Sequence, residues 1–297
     1  MHERRAIGAG AGPRERAYSS CLPLGASLGF APFPRPTAVA SITWRSNQMS
    51  GHSKWATIKR KKGALDAKRG KLFTKLIKEI TVASRMGGGD VNGNPRLRKA
   101  VNEAKGQAMP ADTIKRAIGR GTGDLEGANY EEILYEGTGP GGTLFLIDAM
   151  TDNKNRTVAE IRKVFEKNNG VLGAGGTAQW AFDRKGIVLL AKESATEDQL
   201  MEVAVGAGAD DYSDAGEDWQ ILTPTAALDP VVKALEEAGV AVKSAKPGYI
   251  PKSKKDVSGR DAEVCLQLAE AIDDHDDVQN VYADFDVSDE EMARIAG

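Results

Sequence analysis

The sequence predicts an α+β protein in which an N-terminal helical bundle precedes two ferredoxin-like α/β domains, the third domain inserted into the second. Three observations carry that expectation. Between residues 53 and 121, apolar side chains recur with the helical period and glycines punctuate them. After residue 130, short β-type runs alternate with helical ones. The charge also changes sign between these regions: residues 49–125 carry 18 Lys and Arg against 6 Asp and Glu, and residues 126–297 carry 16 against 34.

In chain order, residues 1–48 hold 5 of the 12 prolines, no lysine and no surviving period, which reads as a disordered extension arising from an upstream start. A secretory or transit signal fits less well, because Pro23, Gly25 and Gly29 break the apolar run and Glu3 and Glu15 are acidic. Met49 opens the patterned sequence. Ser53 can cap a short helix through Trp55, Ile58 and Lys59-Arg60-Lys61-Lys62. In the helix expected over Lys71–Met86, Leu72, Phe73, Leu76, Ile77, Ile80 and Ala83 fall within an arc of about 140° at 100° per residue. Lys71, Lys75, Lys78 and Arg85 fall on the opposite side within about 80°, a stripe expected to face solvent. Asn94 and Pro95 open the next helix, with Leu97, Ala100, Val101 and Ala104 inward, and Pro110 and Asp112 open another that Gly119 and Gly121 stop.

Beyond residue 128, Glu131–Glu136 and Gly142–Met150 read as paired strands. The connecting Gly137–Gly142 run matches GxGxxG but opens no helix, so it cannot cradle a phosphate as a dinucleotide loop does. Asn155–Lys167 reads as a helix and Ala178–Phe182 as a strand. Ile187–Ala191, Glu197–Val205, Ala209–Tyr212, Trp219–Thr223, Pro230–Glu237 and Val240–Pro251 then spell β-α-β-β-α-β. A helix over 260–274 and a strand over Val278–Phe285 supply what residues 130–182 lack. The expected boundaries are 1–48, a basic helical nucleic-acid-binding domain at 49–128, a discontinuous α/β domain at 129–182 plus 252–297, and an inserted ferredoxin-like domain at 183–251.

Chemistry is constrained by what is missing. No run of about 18 apolar residues exists to span a membrane. Cys21 and Cys265 form no disulfide framework, and His2, His52 and His275 lie too far apart for a zinc motif. No cofactor or metal is expected, and the location expected is cytoplasmic. Two acidic clusters, Asp210, Asp211, Asp214, Glu217, Asp218 and Asp273, Asp274, Asp276, Asp277, read as solvated edges and helix ends. Asp284 and Asp286 would share a strand face and could hold magnesium in a nuclease, the competing reading. Asn155-Arg156-Thr157 is a glycosylation sequon by pattern alone.

The basic helices suit the phosphate backbone of a nucleic acid. The phosphate contacts expected are Lys54, Lys59, Arg60, Lys61, Lys62, Lys68, Arg69, Lys71, Lys75, Lys78, Arg85, Arg96, Arg98 and Lys99. Within this block lysine outnumbers arginine 11 to 7, which favours backbone tracking over base readout.

Several motifs resemble the YebC/PmpR family of transcriptional regulatory proteins, relatives of the mitochondrial translational activator of cytochrome c oxidase. They include Met49-Ser50-Gly51-His52-Ser53-Lys54-Trp55, Ala67 to Lys75, Gly87-Gly88-Gly89-Asp90, Asn94-Pro95-Arg96-Leu97-Arg98, Met109-Pro110, Tyr135-Glu136-Gly137, Thr151 to Thr157 and Asp277 to Tyr282. The sequence departs from the family at Ala111-Asp112-Thr113 and at Thr138. The resemblance implies three domains and regulation of gene expression without catalysis, through duplex DNA or structured ribosomal RNA, with the ribosome among the candidate partners. The basic stripe would track phosphates of either; the lack of an evident helix-turn-helix leans to structured RNA, and the family's customary description to DNA-binding control of transcription.

Overall fold

A computed structural model describes residues 65–296, with side chains from 70 to 295. The helix expected near Ser53 lies outside them, as do residues 1–48. Helix α1, Leu65–Gly87, buries Leu76, Ile80 and Ala83 and ends at a glycine run where Gly88 takes φ +84°. Helix α2, Pro95–Gly106, starts as expected: the Asn94 side chain accepts the Leu97 N–H at 3.1 Å and Pro95 fills the first helical position. It turns Leu97, Ala100, Val101 and Ala104 inward. Helix α3, Ala111–Thr122, adds Ile114 and Ala117 to the same small core. Gly121 lets α3 press against α1, because a β-carbon there would strike the Thr81 carbonyl and Ser84.

Strands β1 (Glu131–Thr138) and β2 (Leu144–Thr151) pair antiparallel in register from Glu131↔Thr151 to Thr138↔Leu144. The turn between them is a short 3-10 segment in which Gly141 and Gly142 hold φ of 65° and 71°, so the glycines serve a hairpin and no helix follows. Helix α4 spans Lys154–Lys167, and β3, Val171–Leu172, pairs with the end of β1. Strand β4, Phe182–Ala191, enters a second sheet. There follow α5 (Glu197–Leu200, continued by a π turn at Met201–Val205), β5 (Asp211–Asp214), β6 (Asp218–Thr223), α6 (Leu228–Glu237) and β7 (Val242–Pro251). The chain closes with β8 (Lys255–Asp256), α7 (Gly259–Asp273), β9 (Val278–Ala283), β10 (Phe285–Asp286) and α8 (Asp289–Ala296).

The first sheet has the order β3-β1-β2-β9, so its last strand comes from beyond the second sheet in sequence. Alternation along β2 divides its side chains. Phe145 and Ile147 join Ile161, Phe165, Leu268 and Ile272 beneath α4 and α7, while Leu146 meets Ala178, Phe182 and Tyr282 on the other face. The second sheet has the antiparallel order β5-β6-β4-β7, the ferredoxin-like arrangement, with α5 and α6 over Val188, Leu190 and Ile221. Tyr249 and Tyr282 stack edge to face across the seam between the sheets, 5.3 Å between centroids.

Several elements differ from expectation. Ala178–Phe182 is no strand: Gln179–Ala181 is a 3-10 turn leading into β4, and β3 completes the first sheet instead. The Glu136 carboxylate takes the N–H groups of Gly176, Ala178 and Gln179 at 2.8, 2.6 and 2.9 Å, removing them from any ladder. The expected strand Val278–Phe285 breaks at Asp284, whose side chain accepts the Leu144 N–H at 2.8 Å. β10 then pairs parallel with β8, so Asp284 and Asp286 do not line one strand face. Helix α8 and strand β8 carried no sequence expectation.

Candidate nucleic-acid interface

Lys71, Lys75 and Lys78 do share one face of α1, at spacings of four and three residues. That face looks into solvent only at its Lys71 end. It meets the turn after α7, where the final carbonyls of a helix lack internal donors and favour cations. Lys71 Nζ donates to the Asp274 carbonyl at 3.1 Å and sits 3.4 Å from its carboxylate. Lys75 Nζ reaches both the carbonyl and the carboxylate of Asp273 at 3.0 Å. Lys78 Nζ binds Asp277 Oδ1 at 2.6 Å, the Asp276 carbonyl at 2.8 Å and the Met150 carbonyl at 3.3 Å. The expected solvent-facing stripe is therefore corrected to a contact between oppositely charged segments some two hundred residues apart. A helical wheel shows which side chains leave the helix's own core, and nothing of what arrives on them.

Asp277 is the centre of this contact. Besides Lys78, its carboxylate accepts from Arg156 Nη2 at 2.8 Å and Thr157 Oγ1 at 2.6 Å. Its main chain ties to β2 through the Met150 N–H at 2.7 Å. Burial alone would raise the Asp277 carboxyl. The hydrogen bonds from Lys78, Thr157 and Arg156 outweigh burial and hold it well below the ordinary carboxylate value. The segment Thr151–Thr157 is shaped for this role: Asn153 caps α4 by accepting the Arg156 N–H at 3.1 Å, and the Thr151 and Thr157 hydroxyls lie 2.8 Å apart. Thr157 of the sequon is fully buried, and its hydroxyl is spent on Asp277.

Glu160, His275 and Asp277 bring potential ligand atoms within 4.8 Å of one another. The Asp277 N–H donates to His275 Nδ1 at 3.1 Å, so Nε2 carries the ring hydrogen toward Glu160 at 2.9 Å. The Asp277 oxygens are held by Lys78, Arg156 and Thr157, while the His275 and Glu160 side chains bond each other. They line a cleft of about 690 Å³ at the seam, together with Lys71, Tyr130 and Arg156.

The other expected phosphate contacts divide into three groups. Lys54, Lys59, Arg60, Lys61 and Lys62 lie outside the described residues, as do the side chains of Lys68 and Arg69 on the first turns of α1. Arg96 and Lys99 are engaged: Arg96 forks onto Glu79 at 2.7 and 3.1 Å and also meets Glu132, and Lys99 meets Asp229. Arg85 is exposed and grazes the Tyr130 carbonyl at 3.4 Å, while Arg98 is exposed on α2. Sequence reasoning passed over Lys105, Lys115, Arg116 and Arg120. All are exposed on α2 and α3, and none makes an ion pair among the described residues. The signal for them was available, because Leu97, Ala100, Val101 and Ala104 already fix the inner face of α2 and turn Arg98 and Lys105 outward.

Three carboxylates at the second sheet are also matched. Asp210 pairs with Lys185 at 2.8 Å, Asp214 with Lys192 at 2.5 Å, and Asp218 with Lys243. Among the described residues no helix is long and apolar enough to cross a membrane.

Residues 53–124 match the family described as TACO1/YebC protein N-terminal domain, and residues 130–285 match that described as TACO1/YebC second and third domain. A probable transcriptional regulatory protein of Geobacter sulfurreducens is 56% identical over 247 residues, covering 83% of this chain and all of the relative. One from Desulforapulum autotrophicum is 54% identical over 242 residues, 82% of this chain and 98% of the relative. The crystal structure of a conserved hypothetical protein from Aquifex aeolicus superposes with a TM-score of 0.75 at 42% identity, covering 80% of this chain and 98% of that one. The matches run through both the helical segment and the two sheets, and on them the chain belongs to the TACO1/YebC family.

Proposed function

We propose that this chain is a non-enzymatic regulator of gene expression that binds nucleic acid through its basic helices, with duplex DNA as the target. The observation that carries this reading is the exposed set Arg98, Lys105, Lys115, Arg116 and Arg120 on α2 and α3, cations on folded elements that engage no acid among the described residues. The names of the relatives, probable transcriptional regulatory proteins, agree with it. Cations spread over two helices contact phosphates and position the protein, so binding is strongly salt-dependent and weakly sequence-dependent.

A second reading, association with ribosomal RNA in the service of translation, draws on the preponderance of lysine over arginine in residues 49–125. Sedimentation of the full chain through a sucrose gradient, from DNase-treated lysate at near-physiological salt, separates the two. Migration with ribosomes selects translation. Retention at the top, with a shift of duplex DNA at the same salt, selects transcription. In either case Arg98→Glu, Lys105→Glu and Lys115→Glu together weaken binding by roughly tenfold or more and flatten its salt dependence by about one unit per lost phosphate contact. Unchanged binding by this variant sinks the reading.

A further inference from the structure

Among the described residues, no buried apolar cluster joins the three helices to the sheets. The core of α1–α3 is drawn entirely from residues between Leu72 and Ile118. Five ion pairs tie the helices to the rest: Lys71–Asp274, Lys75–Asp273, Lys78–Asp277, Arg96–Glu132 and Lys99–Asp229. These contacts are graded along α1. The side chains of Lys78 and Asp277 are 7% and 6% exposed, those of Lys75 and Asp273 17% and 11%, and those of Lys71 and Asp274 42% and 50%. An exposed pair of this kind contributes little and is screened by salt, whereas the buried pair is fixed by its surroundings.

We propose that Asp273 and Asp274 form an autoinhibitory contact, occupying Lys71 and Lys75 in place of phosphates. A nucleic acid would compete the two carboxylates away while Lys78–Asp277 stays shut as the pivot. The inference rests on the nucleic-acid reading above and adds to it a cost that every bound phosphate chain must meet. The geometry suits competition. Asp273 and Asp274 offer both carboxylate and carbonyl oxygens to successive lysines one helical turn apart, which is how a phosphate chain would meet the same stripe. The partners of the Asp277 carboxylate are Lys78, Arg156 and Thr157, which remain when Asp273 and Asp274 are released.

The test compares full-length protein with Asp273→Asn/Asp274→Asn, using fluorescence anisotropy on a short DNA duplex and on an RNA hairpin at near-physiological salt. The expected result is roughly threefold to tenfold tighter binding, from the two counter-charges removed. A charge-matched control, Glu236→Gln/Glu237→Gln on α6, is expected to gain little. If the control gains as much, or the aspartate variant gains nothing, the contact is not autoinhibitory. Lys71→Gln/Lys75→Gln should barely weaken the unaltered protein, where those lysines are occupied, yet erase the gain in the aspartate variant. Equal weakening in both backgrounds overturns the proposal. Should neither protein bind either probe, the nucleic-acid reading fails by itself. The latch is then read by acetylation rates at Lys71 and Lys75, expected to rise several-fold in the aspartate variant, and no rise refutes it.

Discussion

Lys78 Nζ lies 2.6 Å from Asp277 Oδ1 across 199 residues of chain, and both side chains are almost wholly removed from water. Two ions give up hydration here only because each is saturated by other partners: Arg156 and Thr157 on the aspartate, two main-chain carbonyls on the lysine. Lys78 also lies 5.5 Å from the centroid of the Tyr130 ring, so an aromatic face completes its surroundings.

Removing one partner strands the other. Asp277→Ala is expected to destabilise the protein by about 3–5 kcal/mol, because Lys78 is then buried without its counter-charge. Adding Lys78→Ala should cost much less than it does alone, since the stranded ion goes with it. Urea unfolding of the two single variants and the double variant measures this. Additive losses would mean that the two residues are not coupled.

The same pair sets a response to acid. The Asp277 carboxyl is held below its ordinary value of 3.8, so its contribution is fully present above that value and is lost as pH falls through the lower folded value. Unfolding free energy should therefore show no loss from this group between pH 7 and 5. A loss should begin below about pH 4 that Asp277→Asn lacks. A variant whose stability falls as steeply with acid as the parent's would place the titration elsewhere.

Glu136 makes a comparable case within the first sheet. Burial would raise its carboxyl, but the N–H groups of Ala178, Gly176 and Gln179 outweigh burial and lower it from its ordinary 4.5. Glu136→Ala leaves three donors unsatisfied and should cost about 2–4 kcal/mol. Trp180, 66% exposed and held by its Nε1 donating to the Thr177 carbonyl at 3.0 Å, reports on the loop that Glu136 anchors. In the variant its fluorescence anisotropy should fall before global unfolding. As pH drops below about 4.5 in the unaltered protein, the carboxylate's stabilisation is lost in the same direction.

These particulars explain what the sequence could and could not disclose. The α1–α3 elements follow from apolar spacing, Asn94-Pro95 and terminal glycines, all local signals. The discontinuous first sheet was legible because residues 130–182 lacked a helix and a strand that residues 260–285 supplied. Ala178–Phe182 misled because its backbone donors serve a carboxylate over forty positions away. Asp284 broke a strand for the same kind of reason, accepting from Leu144. The lysine stripe misled most: each side chain was placed on the correct face of α1, but its partners belong to the turn after α7. Long-range charge pairing leaves no period in a sequence.

The α1–α3 crossing yields a prediction of opposite signs at two glycines. Alanine is the better helix former by about 1 kcal/mol, so Gly→Ala within a helix stabilises wherever the added methyl finds room. Gly70 lies exposed within α1, and a β-carbon there meets nothing within 4 Å. Gly70→Ala should therefore raise stability by about 0.5–1 kcal/mol. Gly121 lies on α3 where α1 passes closest, and a β-carbon there would meet main-chain Thr81 and the Ser84 side chain. Neither can yield. The Thr81 hydroxyl already bridges the crossing by donating to the carbonyls of Ile77 at 2.8 Å and Ala117 at 3.3 Å, and Ser84 is tied to Ile80 at 2.7 Å. Overpacking against backbone costs about 1–3 kcal/mol and exceeds the propensity gain, so Gly121→Ala should destabilise. Thermal unfolding of the two variants side by side decides it. Stabilisation at both glycines would mean that α1 and α3 do not approach as closely as the Gly121 contact requires.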